Sequence, residues 1–364
     1  LAGGLALPFV EFRANRIVDG TLLRVWQLPA VWAWLALGIV ALAIPVAIVS
    51  RPWRGNALLG LGAAAFCAWA FAVGGAAAAL MPRGDTIARV SISSGAWLIL
   101  VGAAVIWFQG AQTATLRGAR TGAAAAALVA TVVAWFAGGL PQLSLVLEYN
   151  ANSDTFWLLT GSHAALSVGG TAIAVVLGVP LGIAAARVTA VRVGVIPAAG
   201  IIQTIPSLAL YGLLVVPLGM LGLPTLGAVP ALIALTLYAL LPIVRNTYLG
   251  VSGVDPAILD AGRGMGMRPA ELLWRVELPL ALPLLLEGVR ASLVMTIGVA
   301  AVMAIIGART LGTLVFLGWG EVAVDLVLLG ALPMVVLSIL ADRGMRALER
   351  TIVSPGIRIR EEKD

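Results

Sequence analysis

An all-α, polytopic membrane protein is the fold class this sequence predicts, and three observations predict it. Of 364 residues, 61% are hydrophobic and only 11% charged, and the mean hydropathy is +1.04. A soluble chain is about one-quarter charged, so there is too little charge here for a water-facing surface. Secondly, nine stretches are each apolar for roughly the 20 residues that a helix needs to cross hydrocarbon. Thirdly, arginine falls unequally on the two sides that alternate loops define. Forty-two glycines and long alanine runs suit helices packed closely in lipid, where small residues let backbones approach. A soluble enzyme, a secreted disulfide scaffold and a disordered tail are excluded. The net charge of +6 does not indicate a nucleic-acid partner, because the basic residues are scattered and form no stripe with interleaved aromatics.

The first apolar piece, Leu1 to Val10, is too short to cross. It is expected to be the end of an earlier spanning helix, with the remnant of a signal sequence as the weaker alternative. Spans follow near residues 30–50, 56–81, 92–112, 122–140, 163–186, 194–216, 226–245, 284–308 and 326–341. With Arg51 and Arg54 placed in the cytoplasm, that side collects 17 of the 23 Lys and Arg residues. The outer side keeps six: Arg13, Arg16, Arg24, Arg83, Arg89 and Arg309. Such a bias orients helices. Trp32, Trp34, Trp97, Trp135, Trp157 and Trp319 then fall near the outer boundary and Trp53 and Trp107 near the inner one, as two aromatic belts would; Trp69 reads as mid-span packing.

Several residue types are informative by scarcity. Cys67 is the one cysteine and His163 the one histidine, so a disulfide within the chain and a Cys/His zinc site are both ruled out. A phosphate-binding P-loop needs Lys followed by Ser or Thr, yet the single lysine, Lys363, precedes Asp364. Nearly every Asp, Glu and Arg lies in a loop or at a helix end. Ion-coupled carriers keep ionisable groups within the membrane, so energy is expected from another polypeptide. The pair Glu287 and Arg290 reads as a solvated i,i+3 contact, Asp325 as a helix-dipole partner, and His163 as an interfacial hydrogen-bonding residue.

The loop from Arg245 to Pro283 is unlike the rest, being long and amphipathic. Asp255-Pro256 reads as an N-cap followed by proline at the first helical position. A short helix should run toward Arg263 and stop at Gly264 to Gly266. Pro269 should start a second one, Ala270 to Glu277, ending before Pro279, with Leu272, Leu273 and Val276 on one face. A helix–Gly–helix element at the cytoplasmic surface is the expectation.

This spacing resembles the cytoplasmic "EAA" signature of ABC importer permeases: Glu-Ala-Ala, three residues, Gly, nine residues, Ile-x-Leu-Pro. Here Asp260-Ala261-Gly262, Gly266 and Val276-Glu277-Leu278-Pro279 keep both intervals, with Asp for Glu, Gly for the second Ala and Val for Ile. The resemblance spans about residues 155–350. It extends to Gln203-Thr-Ile-Pro-Ser-Leu-Ala-Leu210, Pro230-Ala-Leu-Ile-Ala-Leu235 and Tyr238-Ala-Leu-Leu-Pro242, which look like permeases of glycine betaine, carnitine and choline importers. The N-terminal stretch, with Ser91-Ile-Ser-Ser-Gly-Ala-Trp97, is similar to that of Yeh-type osmoprotectant permeases.

The resemblance implies a MetI-like type I importer permease core over 155–350, an N-terminal transmembrane extension over 1–150, a coupling loop over 250–283 and a cytoplasmic tail over 351–364. It implies that Asp260, Ala261, Gly262, Gly266, Val276, Leu278 and Pro279 couple the chain to an ABC ATPase subunit, which would bind ATP and Mg; no cofactor is expected in this chain. A second permease copy or paralogue, a periplasmic substrate-binding protein and the lipid of a bacterial inner membrane complete the expected partners.

A solute path needs wettable groups, often where a helix is broken. Pro206 breaks 194–216 beside Gln203, Thr204 and Ser207, with Tyr211 a turn beyond, while Tyr238 and Pro242 mark a similar break and Met295 and Thr296 follow in 284–308. These are the candidate pathway residues. Repair of the kinks is the competing use of Thr204 and Ser207, and packing that of Met295 and Thr296. A cargo such as an amino acid remains open, as does a secondary transporter or membrane sensor using the loop as a platform.

Overall fold

The computed structural model describes residues 2–15, 18–28, 31–81, 87–116, 118–137 and 139–354. Arg16, Arg83 and Arg117 of the charge tally, and Arg358, Arg360 and Lys363 of the tail, lie outside the described residues. Eight described helices are long and apolar enough to cross a membrane. The number is nine if Thr189–Thr204 and Ser207–Met220, bent by 112°, form one broken span. Each expected span overlaps one of these. The chain divides into two compact units, Leu1–Asn152 with Gly318–Leu326, and Ser153–Leu317 with Val327–Asp364.

The first unit contains α1 (Ala2–Ala6), β1 (Val10–Arg13), β2 (Thr21–Leu23), α2 (Val31–Ile48), α3 (Arg54–Leu80), β3 (Arg89–Ile92), α4 (Ser94–Thr113), α5 (Ala119–Ala137) and α6 (Ser144–Ala151). Helix α3 packs against α2, α4 and α5. A methyl group at Gly62 would lie 2.6 Å from the Trp107 backbone nitrogen, so α3 and α4 approach backbone to backbone. The Trp69 indole donates to the Ala96 carbonyl at 2.8 Å, a bond added to the packing expected of it. Of the apolar piece Leu1 to Val10, only Ala2–Ala6 is helical among the described residues. Pro8 disfavours helix at the residue before it, and Val10–Arg13 becomes the middle strand of an antiparallel sheet, paired with β2 and β3.

Asp325 also departs from expectation. It is buried within the first unit and accepts a hydrogen bond from the Ser91 hydroxyl, so its role is not confined to a helix dipole. Nearby, Arg89 pairs with the buried Glu148 at 3.1 Å, and Arg13 donates to the Val322 carbonyl at 3.2 Å.

The second unit comprises α7 (Ser153–Arg187), α8 (Thr189–Thr204), α9 (Ser207–Met220), α10 (Ala228–Ser252), α11 (Pro256–Gly264), α12 (Pro269–Leu272), a π turn (Leu273–Glu277), α13 (Leu278–Ala300), α14 (Gly312–Gly320) and α15 (Val324–Ile352), the last two with their 318–326 ends in the first unit. Helices α7, α10 and α13 pack on one another. Gly170, Ala174, Gly178 and Gly182 are buried at fourfold spacing along one face of α7. A methyl at Gly182 would meet Thr247 Cβ at 2.6 Å and the Val244 carbonyl oxygen at 2.8 Å, so only glycine permits this approach of α7 to α10.

Polar side chains cross-link the same helices. Ser292 donates to the Ala239 carbonyl at 2.8 Å, and the Thr171 and Thr296 hydroxyls bond at 3.0 Å. His163 is fully buried, its Nε2 donating to the Ile297 carbonyl at 3.0 Å, which corrects its expected interfacial position. Its helix starts ten residues before the expected span, which moves it inward. Arg290 is not a simple solvated partner of Glu287 either: it also donates to Asp342 of α15 at 2.7 Å, and Asp342 takes a second bond from Arg346.

Candidate coupling hook and translocation path

The loop between α10 and α13 folds as a helix–glycine–helix hook. Asp255 Oδ1 accepts from the Ala257 amide at 2.8 Å and Pro256 fills the first helical position, so α11 starts where N-capping chemistry places it. Its end is a glycine stop: Gly266 has φ +80°, its amide reaches the Arg263 carbonyl at 2.9 Å, and the Met267 amide reaches the Gly262 carbonyl at 3.2 Å. Glu271 accepts from the Arg268 amide at 3.0 Å and so caps α12.

The second hook helix differs from expectation in one respect. It does not end before Pro279; helix continues over Pro269–Ala300. The π turn over Leu273–Glu277 widens the winding so that the Leu278 amide bonds back to Leu273, and the ring of Pro279 is accommodated in the turn that follows. The hook is therefore continuous with a membrane-length helix.

The seven predicted coupling residues separate by environment. Asp260, Ala261 and Gly266 are exposed, and Asp260 pairs with Arg263 at 2.8 Å. Gly262 is buried; a methyl there would lie 2.6 Å from Leu272 Cδ1, so it serves the closure of α11 on α12. Val276 is half-buried. Leu278 and Pro279 line an apolar groove with Val175, Val179 and Trp274. Ile258, Met265 and Trp274 are exposed apolar side chains of the hook. Two residues escaped the sequence reading. Glu277 is buried and paired with Arg187, the last residue of α7. The available signal was Glu277 lying four residues after Leu273 on an apolar face, where a charge requires a partner.

Among the pathway candidates, Gln203, Tyr238 and Met295 come together. Pro242 has no amide to offer the Tyr238 carbonyl one turn earlier, and Gln203 Nε2 supplies the missing donor at 2.8 Å, 3.7 Å from Met295 Sδ. The Tyr238 hydroxyl donates to the Ile205 carbonyl at the break between α8 and α9. Thr204 bonds back to Ile201 of its own helix at 2.7 Å, which is the repair reading of that residue. Ser207 opens α9 and Tyr211 donates to the Thr225 carbonyl at 2.5 Å. Thr296 is fully buried in the α7–α13 seam with Thr171, which is the packing reading of that residue.

A membrane-spanning helical core with a broken helix and a helix–glycine–helix hook defines a transport permease. The family model described as "Binding-protein-dependent transport system inner membrane component" matches residues 178–354, and "ABC transporter permease YehY, N-terminal domain" matches residues 1–146. The glycine betaine/carnitine/choline transport system permease protein OpuCB of Bacillus subtilis is 36% identical over 198 residues, 54% of this chain and 88% of its own. The osmoprotectant import permease protein OsmW of Salmonella typhimurium is 38% identical over 200 residues, 55% of this chain and 93% of its own. A chain from inward-facing conformations of the MetNI methionine ABC transporter aligns with TM-score 0.50 and 20% identity, covering 56% of this chain and 99% of that one, a likeness of fold. This chain belongs to the binding-protein-dependent ABC importer permeases, and carries the type I core with an additional N-terminal domain.

Proposed function

We propose that this chain is the permease subunit of an ATP-driven importer of glycine betaine or a related osmoprotectant in a bacterial inner membrane. The reading rests on one observation above others: the hook keeps its capped, glycine-stopped form with Asp260, Ala261 and Gly266 exposed, and is continuous with a membrane-length helix. Its exposed apolar side chains, Ile258, Met265 and Trp274, suit docking into a groove of an ATPase subunit. The ATPase would bind ATP and Mg, and its closure would displace the hook and with it α13. Nucleotide must then favour one arrangement of the complex, since a ligand shifts an equilibrium only through differential affinity.

A second copy or a paralogous permease would complete the path, and a periplasmic binding protein would deliver solute. The path would run beside the α8–α9 break, where Gln203, Tyr238 and Met295 fix the bend and Ser207 and Tyr211 follow. Quaternary ammonium groups are held tightly by aromatic cages. Aromatic residues make up only 6% of the chain, so strong binding belongs to the delivery protein and this chain provides a weak, transient passage. Reconstitution of the chain with its partner ATPase and binding protein tests the reading. Uptake of radiolabelled glycine betaine should require all three components and ATP. Uptake by the chain alone, or into vesicles without nucleotide, would refute it.

A further inference from the structure

At the root of the hook an ion pair joins a buried carboxylate, Glu277, to the exposed guanidinium of Arg187. Glu277 closes the π turn and is 1% exposed. One carboxylate oxygen accepts from the guanidinium of Arg187, 90 positions earlier, and the other, Oε1, has no hydrogen-bond partner among the described residues. With Arg263, Met267, Pro269 and Leu272 the two line a cavity of about 100 Å³. Arg263 is paired outward with Asp260, both side chains being largely exposed.

A buried carboxylate is costly unless it is paired. Here Arg187 is its hydrogen-bond partner, and a single pair with one free oxygen tolerates little displacement. The apolar contact of Leu272 with Gly262, by contrast, has no preferred direction. The ion pair is thus the directional link between the base of the hook and the end of α7. The chain from hook to α13 is already covalent and helical. Within the span α7 and α13 are already joined by the Thr171–Thr296 and His163–Ile297 bonds; without the pair, the hook could turn relative to the end of α7.

We propose that Arg187 and Glu277 form a positioning pair for transport, locking the hook to α7 so that its displacement moves α7 and α13 together. This inference rests on the coupling-hook reading above. The test uses the whole complex, with ATPase and binding protein, in proteoliposomes. It reads radiolabelled glycine betaine taken up per ATP hydrolysed, and the ATPase subunit retained on purification. A double variant, Arg187→Met with Glu277→Met, removes the charges while keeping apolar bulk, an exchange that folded proteins often accept. The exchange Arg187→Glu with Glu277→Arg restores opposite charges.

The double-methionine variant should retain the ATPase within twofold, yet lose at least fivefold in solute per ATP; the charge exchange should recover to within threefold of the parent. Solute per ATP within twofold of the parent in the methionine variant would overturn the proposal, as would a charge exchange that gives no recovery. If the methionine variant fails to assemble, recovery by the charge exchange supports the pair and its absence refutes it. Failure of the underlying reading shows separately, in the unmodified complex, as uptake independent of ATP or loss of the ATPase subunit.

Discussion

Adding one methyl group at Gly182 should push α7 and α10 apart. That methyl would sit 2.6 Å from Thr247 Cβ and 2.8 Å from the Val244 carbonyl oxygen, the second a backbone atom that cannot rotate away. Non-bonded carbons settle at about 3.5–4.0 Å, so the helices must part by about 1 Å locally. A gap of that size forfeits about a quarter to a half of the dispersion attraction between the facing atoms. Overpacking of this kind costs about 1–3 kcal/mol. The better helix propensity of alanine returns at most about 1 kcal/mol. With that gain subtracted, Gly182→Ala should destabilise by up to about 2 kcal/mol. Gly200 in α8 has open space where its methyl would lie, so Gly200→Ala should be neutral or slightly stabilising. Unfolding of both variants in mixed detergent, followed by fluorescence and size exclusion, gives the comparison. Equal or greater stability of Gly182→Ala relative to Gly200→Ala would refute the close-approach reasoning.

Three further outcomes are expected. Gly266→Pro should abolish uptake while insertion persists, because φ +80° is closed to proline, held near −65°; uptake in a correctly inserted variant would exclude the coupling role. Tyr238→Phe removes a hydrogen bond at the α8–α9 break and should cost about 0.5–1.5 kcal/mol of stability, measured in the same unfolding assay, with a larger fractional loss of uptake than Tyr248→Phe, whose ring is remote from the break. Arg89→Ala removes the 3.1 Å ion pair to the buried Glu148 and should lower stability, whereas Arg89→Ala combined with Glu148→Gln should recover part of that; an unchanged melting temperature for the single variant would contradict it.

Much of the hook could be read directly, because its signals are local. Asp255-Pro256, the glycines around Gly266 and Pro269 each act within one turn of chain, and the structure places cap, stop and restart at those residues. The Pro206 break was equally local. Proline chemistry also announced that a carbonyl near Pro242 would need a donor, but not that Gln203, 35 residues earlier, would supply it. The partner of Thr296 was not legible for the same reason: its hydroxyl faces Thr171 on another helix, 125 residues away, and no periodicity in α13 carries that information.

Composition, hydropathy and the placement of arginine determined that this chain crosses a membrane many times, since transfer from water to lipid is a sum over residues and needs no neighbours to evaluate. They determined the spans as well, while local cap, glycine and proline signals determined the hook. Only the tertiary structure decided which charges are buried and how they are matched across elements: Glu277 with Arg187, Asp325 with the Ser91 hydroxyl, Arg290 with Asp342. It also decided that a π turn carries the hook without interruption into α13. A buried charge is tolerated only beside its partner, and in a helical bundle that partner stands on another helix, at a distance along the chain that local sequence does not encode.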